Sequence, residues 1–354
     1  MIKISNIFLF NFYFSKFKIK SFGTNINIMK NNKIVGLSPM AGYTDSPFRS
    51  LVRELCPEAY LVTELISADG LKYCSKKTEE MMNHFPNEKP LIVQLFGKHP
   101  NFFATAAIAA KKAGASGIDI NMGCPAKKVI HSGHGSALIK NCELAYEIVK
   151  VCAEATDLPV SVKTRLGWTR EGVDNNELTE NLIKFCKGLE ESGAKMICIH
   201  GRTVKQEYTG SADWEAIYEV KKELKIPVIG NGDINDIKDA KEKIKNLDGV
   251  FIGRGAIGRP WLITQVHAAL NNLEGLKDPD FFEIKEFAIR HAKLAWEMKG
   301  FKGMLEMRKN LVCYLKGMPR ASEFRQRLVH VESVDDVKNV LDEYEKFFKE
   351  EMNI

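Results

Sequence analysis

Short apolar runs rich in β-branched residues recur along this chain about every thirty to forty residues, with helical stretches between them. From residue 34 onward they read Ile34-Val35-Gly36-Leu37, Ala59-Tyr60-Leu61-Val62-Thr63, Leu91-Ile92-Val93-Gln94-Leu95 and Gly117 to Asn121. The second half adds Val160-Ser161-Val162-Lys163, Met196-Ile197-Cys198-Ile199-His200, Val228-Ile229-Gly230 and Gly249-Val250-Phe251-Ile252. They read as apolar on both faces, as parallel strands covered by helices should be. Helices are predicted at Phe102 to Lys112, Gly135 to Ala155, Leu178 to Glu191 and Trp214 to Leu224. Ala113-Gly114-Ala115 and Ser192-Gly193-Ala194 supply a glycine where a helix must end before the next strand. Eight such units over about 230 residues suit a closed (β/α)8 TIM barrel. An open doubly wound sheet is the rival. It would carry a Gly-rich dinucleotide turn after its first strand, and Gly36-Leu37-Ser38-Pro39-Met40-Ala41-Gly42 is not one.

At 354 residues the chain exceeds what one barrel needs. After the helix containing Trp261, Asn271 to Asp280 reads as a linker, and the remainder is helical: Phe281 to Met298, Gly303 to Leu315, Ala321 to Leu328 and Val334 to Phe348. The expected division is a barrel over 17–270, a linker over 271–280 and a small helical bundle over 281–354. Lys285 to Arg327 holds eleven Lys/Arg against four Asp/Glu, whereas 331–351 holds three Lys against eight Asp/Glu. A positive face on a bundle beside a barrel mouth suits nucleic acid, although ordinary solvated helix faces produce the same count. The net charge of +6 permits a polyanionic partner without requiring one.

Residues 1–16 stand apart. Ile7-Phe8-Leu9-Phe10 and Phe12-Tyr13-Phe14 are apolar, but Asn11, Ser15 and Lys16 interrupt them, so the stretch is too short to span a membrane. An edge strand, a surface anchor and residues upstream of the physiological start all remain open for it. The reading favoured is an appended extension, with Phe17-Lys18-Ile19-Lys20 as the first hairpin of the barrel domain. The eight cysteines lie far apart, with no C-x-x-C pair and no His/Cys cluster at metal-ligand spacing. They read as reduced thiols of a cytoplasmic protein without a metal or a membrane segment, with a monomer as the default state.

In a barrel, the carboxyl ends of all strands converge on one mouth. Those positions hold Pro39-Met40-Ala41-Gly42, Glu64, Gln94, Asn121 with Cys124, Lys163 with Arg165, and His200 with Arg202; Asn231-Gly232-Asp233 and Gly253-Arg254-Gly255 complete them. Small residues and a guanidinium after the last two strands suit a phosphate. Lys163 and Gln94 project where they could meet the polar edge of a flat heterocycle such as a flavin, with a salt-bridged rim lysine as the plain alternative. His200 can donate to that ring or to a substrate phosphate, or be a simple hydrogen-bonded rim histidine. Cys124, in Asn121-Met122-Gly123-Cys124-Pro125, sits in a loop where a thiol can deliver a proton or attack an electrophile. Merely filling a turn is the plain alternative.

These residues carry a resemblance. The chain resembles the tRNA-dihydrouridine synthase family, and among its branches the bacterial B-type enzymes. The matching pieces are Ser38-Pro39-Met40-Ala41-Gly42-Tyr43-Thr44-Asp45, Gln94-Leu95-Phe96-Gly97 and Asp119-Ile120-Asn121-Met122-Gly123-Cys124-Pro125. Val162-Lys163-Thr164-Arg165-Leu166-Gly167-Trp168, His200-Gly201-Arg202-Thr203 and Gln206-Glu207-Tyr208-Thr209-Gly210 follow, then Asn231-Gly232-Asp233-Ile234 and Gly253-Arg254-Gly255-Ala256. In the tail, Met307-Arg308-Lys309-Asn310 with Tyr314-Leu315-Lys316-Gly317 is similar to the family's helical-domain signature.

The resemblance implies an FMN-dependent enzyme acting on tRNA, with NADPH or NADH as a transient reductant. It implies that Pro39, Met40 and Ala41 line the flavin, Gln94 and Lys163 bind its ring, and His200 contacts the cofactor side. Asn231, Gly232, Asp233, Gly253 and Arg254 would hold the phosphate end. Cys124 matches the general acid and Asn121 would orient the base. Lys128, Arg165 and Arg202 match or neighbour positions expected to meet RNA phosphates, with Lys309 and Lys316 contacting RNA from the tail. The implied reaction places a hydride from reduced FMN on C6 of a flipped-out uridine and a proton from Cys124 on C5. Two rivals remain: a flavin-dependent barrel reductase acting on a free pyrimidine or enone, and a noncatalytic RNA-binding protein on a retained barrel.

Overall fold

The computed structural model describes residues 32–352. The amino extension and the hairpin expected at Phe17-Lys18-Ile19-Lys20 lie outside the described residues. Nine parallel strands follow: β1 (Ile34–Leu37), β2 (Tyr60–Val62), β3 (Ile66–Ser67), β4 (Leu91–Phe96), β5 (Gly117–Met122), β6 (Val160–Arg165), β7 (Met196–His200), β8 (Val228–Asn231) and β9 (Gly249–Ile252). β1 pairs with β2 and with β9, and β2 pairs with β4, so eight strands close a ring. This is the expected TIM barrel. The short β3 extends the wall above β2, pairing Ile66 with Leu95 and Ser67 with Phe96.

The break between β2 and β3 has a local cause. Thr63 Oγ1 takes the backbone N–H of Gln94 at 2.9 Å and donates to the Glu64 carbonyl at 2.9 Å. A side chain thus replaces a ladder partner, and the strand turns Glu64 out of the wall.

Burial on both faces explains the missing alternation. Outward residues such as Val35, Leu37, Leu61, Ile118, Ile120 and Val162 pack beneath the surrounding helices. Inward residues Val62, Ile92, Met196, Cys198, Ile229 and Phe251 fill the ring, with Ile34 and Tyr60 against them. Each fully buried aliphatic or aromatic side chain stabilises the fold by about 1.5–3 kcal/mol. Gly36 makes room for the Phe251 ring, whose Cε1 lies 2.5 Å from where a Cβ would stand. Toward the carboxyl end the filling turns polar, with Gln94, Asp119, Asn121, Ser161, His200 and Asn231 all buried.

Residues 271–280 carry no regular structure between the helix Trp261–Leu270 and the tail. Asp280 caps the tail's first helix, accepting from Glu283 N at 2.9 Å while its own N–H reaches Glu283 Oε2 at 2.9 Å. The segment Phe281–Tyr314 is two helices divided at Gly300, whose φ of 56° lies in the left-handed region. Helices Ser322–Leu328 and Val334–Met352 complete the tail. It packs on the barrel helix Ser46–Leu55, where Leu51 and Leu55 join its core. Arg290 grips Glu54 with two bonds and Lys299 Nζ reaches Asp45 Oδ2 at 2.8 Å.

Candidate active site

A cavity of about 810 Å³ opens at the carboxyl ends of the strands. Its walls include Pro39, Met40 and Ala41 from the loop after β1, Cys124 after β5, Lys163 on β6 and His200 on β7. Asn231, Gly232 and Asp233 after β8, and Gly253 with Arg254 after β9, close the far side. Asn121 and Arg165 also face the cavity.

The loop after β1 is held by its own backbone. The N–H groups of Tyr43 and Thr44 donate to the Met40 carbonyl at 2.9 and 3.1 Å, and Met40 N–H reaches Thr44 Oγ1 at 2.9 Å. Gly42, with φ 78°, turns its N–H onto Glu64 Oε1 at 2.5 Å. Burial of that carboxyl raises its pKa above the usual carboxylate range.

The cysteine loop is fixed from both sides. Asn121 Oδ1 accepts from Gly123 N–H at 3.3 Å and Cys124 N–H at 3.0 Å. Ser136 Oγ donates to the Cys124 carbonyl at 2.7 Å. Gly135, at φ 59°, lets that second segment approach, since a Cβ there would lie 3.3 Å from Cys124 Cβ. Burial pushes the Cys124 thiol pKa up, opposed by the Ala126 N–H and by the charges of Arg165 and Lys163. The group is therefore a protonated thiol at neutral pH.

Positive charge surrounds the rest of the cavity. Lys163 Nζ donates to Asn231 Oδ1 at 2.9 Å, and burial lowers its pKa. His200 is driven down to about 2 by burial and by the cations Lys163, Arg165, Arg202 and Arg254, so its ring is neutral. Burial alone would raise the Asp233 carboxyl, but Arg202 at 2.8 Å and the Ala212 N–H at 2.7 Å hold it below the usual range. Arg254 remains half exposed and only 3.4 Å from Asp233.

Several residues singled out from the sequence spend their polar groups on protein partners rather than in the open cavity. Gln94 is fully buried behind Asn121, linked to it at 3.1 Å. The Asn231 side chain faces inward, between Lys163 and the Phe251 carbonyl. Arg202, 3% exposed, donates to the carbonyls of Thr209 and Gly210 as well as to Asp233. Arg165 is buried too, its donors on the carbonyls of Gly123, Thr203 and Glu207. Both arginines brace the loop over 203–210. Lys128 and Lys316 are exposed, and Lys309 Nζ lies 5.1 Å over the ring of Tyr43, a cavity residue.

Sequence reasoning passed over Tyr208, Ser136 and Asp119. Tyr208 is 56% exposed on the cavity wall, with the guanidinium groups of Arg254 and Arg165 at 5.2 and 5.7 Å from its ring. Its presence in Gln206-Glu207-Tyr208 was the available signal.

The cavity suits an anionic heterocycle. Ser38 Oγ is buried at its wall with no hydrogen-bond partner, Lys163 keeps N–H donors beyond its single bond to Asn231, and Gly232, Gly253 and Gly255 line the far side beside Arg254. Among the described residues no helix is long and apolar enough to cross a membrane.

Comparison with known proteins gives the same direction. The family described as dihydrouridine synthase (Dus) matches residues 36–352. A protein of Synechocystis sp. named probable tRNA-dihydrouridine synthase 1 is 40% identical over 308 residues, covering 86% of this chain and 84% of that protein. The probable tRNA-dihydrouridine synthase of Rickettsia conorii is 39% identical over 306 residues, 84% of this chain and 89% of its own. The tRNA-dihydrouridine synthase B of Pseudomonas putida is 36% identical over 302 residues, 84% of this chain and 87% of its own. With nearly the whole described chain matched, this protein belongs to the dihydrouridine synthase family.

Proposed function

We propose that the protein reduces specific uridines of tRNA to 5,6-dihydrouridine, with FMN as resident cofactor and NADPH or NADH as electron source. The observation that carries the reading is a protonated, half-buried thiol, Cys124, on the wall of one cavity with Lys163, neutral His200 and the cations of the far side.

The flavin would be held by Pro39, Met40 and Ala41 against its ring and by Lys163 and His200 at its polar edge. Gly232, Gly253 and Arg254 would take the phosphate end, with Asn231 and Asp233 fixing their neighbours. Bound and reduced, it supplies the hydride that C6 of uracil accepts. The protein supplies the rest. Lys163 places positive charge where the ring carries negative charge. Asn121 orients the base, and the open face of Tyr208 offers it a stacking surface. Cys124 gives its proton to C5 and is left as a thiolate, which takes a proton back from solvent. Hydride and proton together saturate the C5–C6 bond. A raised thiol pKa serves this role, because a proton donor must still hold its proton at working pH.

Docking of the polyanion falls to the exposed lysines, Lys128 beside the mouth and Lys309 and Lys316 on the tail. Arg165 and Arg202 act on the RNA through the loop they brace.

The test is direct. Purified protein is supplied with flavin, NADPH and an unmodified tRNA transcript, and the nucleosides are analysed by mass. Dihydrouridine at a defined position supports the reading. A protein that stays colourless in flavin and leaves the transcript unchanged refutes it, and reduction of free uracil without RNA points to a small-molecule reductase.

A further inference from the structure

The backbone N–H groups of Gly123 and Cys124 can only donate, and both point at Asn121 Oδ1. Asn121 must therefore turn its amide nitrogen away, and Nδ2 donates to Gln94 Oε1 at 3.1 Å. Gln94 is left with Nε2 facing Asp119 Oδ2, at 2.6 Å. Ser161 closes the far end, its hydroxyl donating to Asp119 Oδ1 at 2.6 Å. The chain is sealed from water, with Gln94 0% and Asp119 2% exposed. At the far end an ionised carboxyl only accepts, so Asp119 locks both amides in the sense that the backbone N–H groups require; burial raises its pKa, and the Ser161 and Gln94 donors oppose that. Reversing the amides would set the Asn121 NH2 against two N–H groups on the part-buried cavity wall, a costly arrangement.

We infer that Asp119 is a positioning residue for Cys124: its carboxylate anchors the far end of the Gln94–Asn121 chain, locks the donor–acceptor sense of both amides, and through them pins the loop that presents the thiol. The consequence for catalysis rests on the proposed uridine reduction, whereas the positioning itself does not.

A relocated carboxylate tests this. Gln94→Glu sets one carboxyl group against another, so that this single link is lost or survives only by taking up a proton. Adding Asp119→Asn restores every bond: the new amide at 119 donates to the new carboxylate at 94 and still accepts from Ser161. Asn121 and the loop keep their partners. The readouts, on flavin-free protein, are Tm and the rate of Cys124 alkylation by iodoacetamide, followed peptide by peptide.

Gln94→Glu is expected to lower Tm and speed alkylation of the half-buried thiol. The double variant is expected to recover at least about half of both changes, since coupled neighbours deviate from additivity. Losses that simply add in the double variant overturn the inference. Should Gln94→Glu prove insoluble, recovery of soluble protein by Asp119→Asn counts as the same rescue. An insoluble double variant beside a soluble Asp119→Asn protein overturns it. Dihydrouridine formation is measured alongside: a parent protein that makes none defeats the proposed reaction and leaves the Tm and alkylation cycle to decide on Asp119.

Discussion

Replacing Arg202 by methionine separates an internal brace from an RNA contact. The guanidinium is 3% exposed and donates to the carbonyls of Thr209 at 3.1 Å and Gly210 at 2.5 Å and to Asp233 at 2.8 Å. Removing one partner of a buried pair costs about 3–5 kcal/mol. Asp233 is 27% exposed and keeps the Ala212 N–H at 2.7 Å, so the lower end applies, about 3 kcal/mol. Methionine retains most of the aliphatic volume, which limits any packing loss. For a chain of this size each kcal/mol moves Tm by about 2 °C, giving a fall of about 6 °C. Calorimetry reads that shift, and filter binding over a salt series reads the RNA contacts. The slope of log affinity against log salt should not change, whereas loss of a phosphate contact would reduce it by about one. An unchanged Tm with a shallower slope would refute the reasoning.

Three further outcomes follow from the site and the tail. Lys163→Met should weaken flavin retention or slow flavin reduction, read by equilibrium dialysis and stopped-flow absorbance; parent behaviour in both would remove Lys163 from the ring. His200 and His291 are held at about 2 and about 4, below the ordinary value, by burial. A depressed pKa gives stability that is present above the unfolded value of about 6.5 and lost as pH falls toward the folded one. Flavin-free protein should therefore lose about 2 kcal/mol per histidine between pH 7 and pH 5, and His200→Gln should flatten the denaturant-measured profile. Lys316→Gln should weaken tRNA binding and reduce its salt slope, and an unaltered slope would move RNA docking to another surface.

The barrel was readable because both strand faces are largely dry, leaving eight mainly apolar runs between helices. The helix Ser46–Leu55 was not readable, because Arg49 and Arg53 are buried on it, Arg49 against Glu88 at 2.7 Å. A sequence shows the two arginines there and hides the partner that Arg49 takes thirty-nine positions away. The same difficulty applies to Arg165 and Arg202, whose internal partners the sequence does not show. Their charge and their place at strand ends suggest phosphate, but the loop over 203–210 folds back and takes their donors with its carbonyls. Asp119 was overlooked because an acid within an apolar strand has no visible partner; Gln94 and Ser161 meet it only once β4, β5 and β6 are in register. Cys124 and the segments after β8 and β9 stand out in the sequence because they sit in glycine-containing loops at strand ends, and Lys163 because it is a charge near the end of the apolar strand β6.

Cys124→Ala under single turnover addresses the proton donor itself. The variant should hold flavin and accept electrons from NADPH at the parent rate, while dihydrouridine formation on tRNA slows by about 10²–10⁴-fold. Formation at the parent rate would contradict the account.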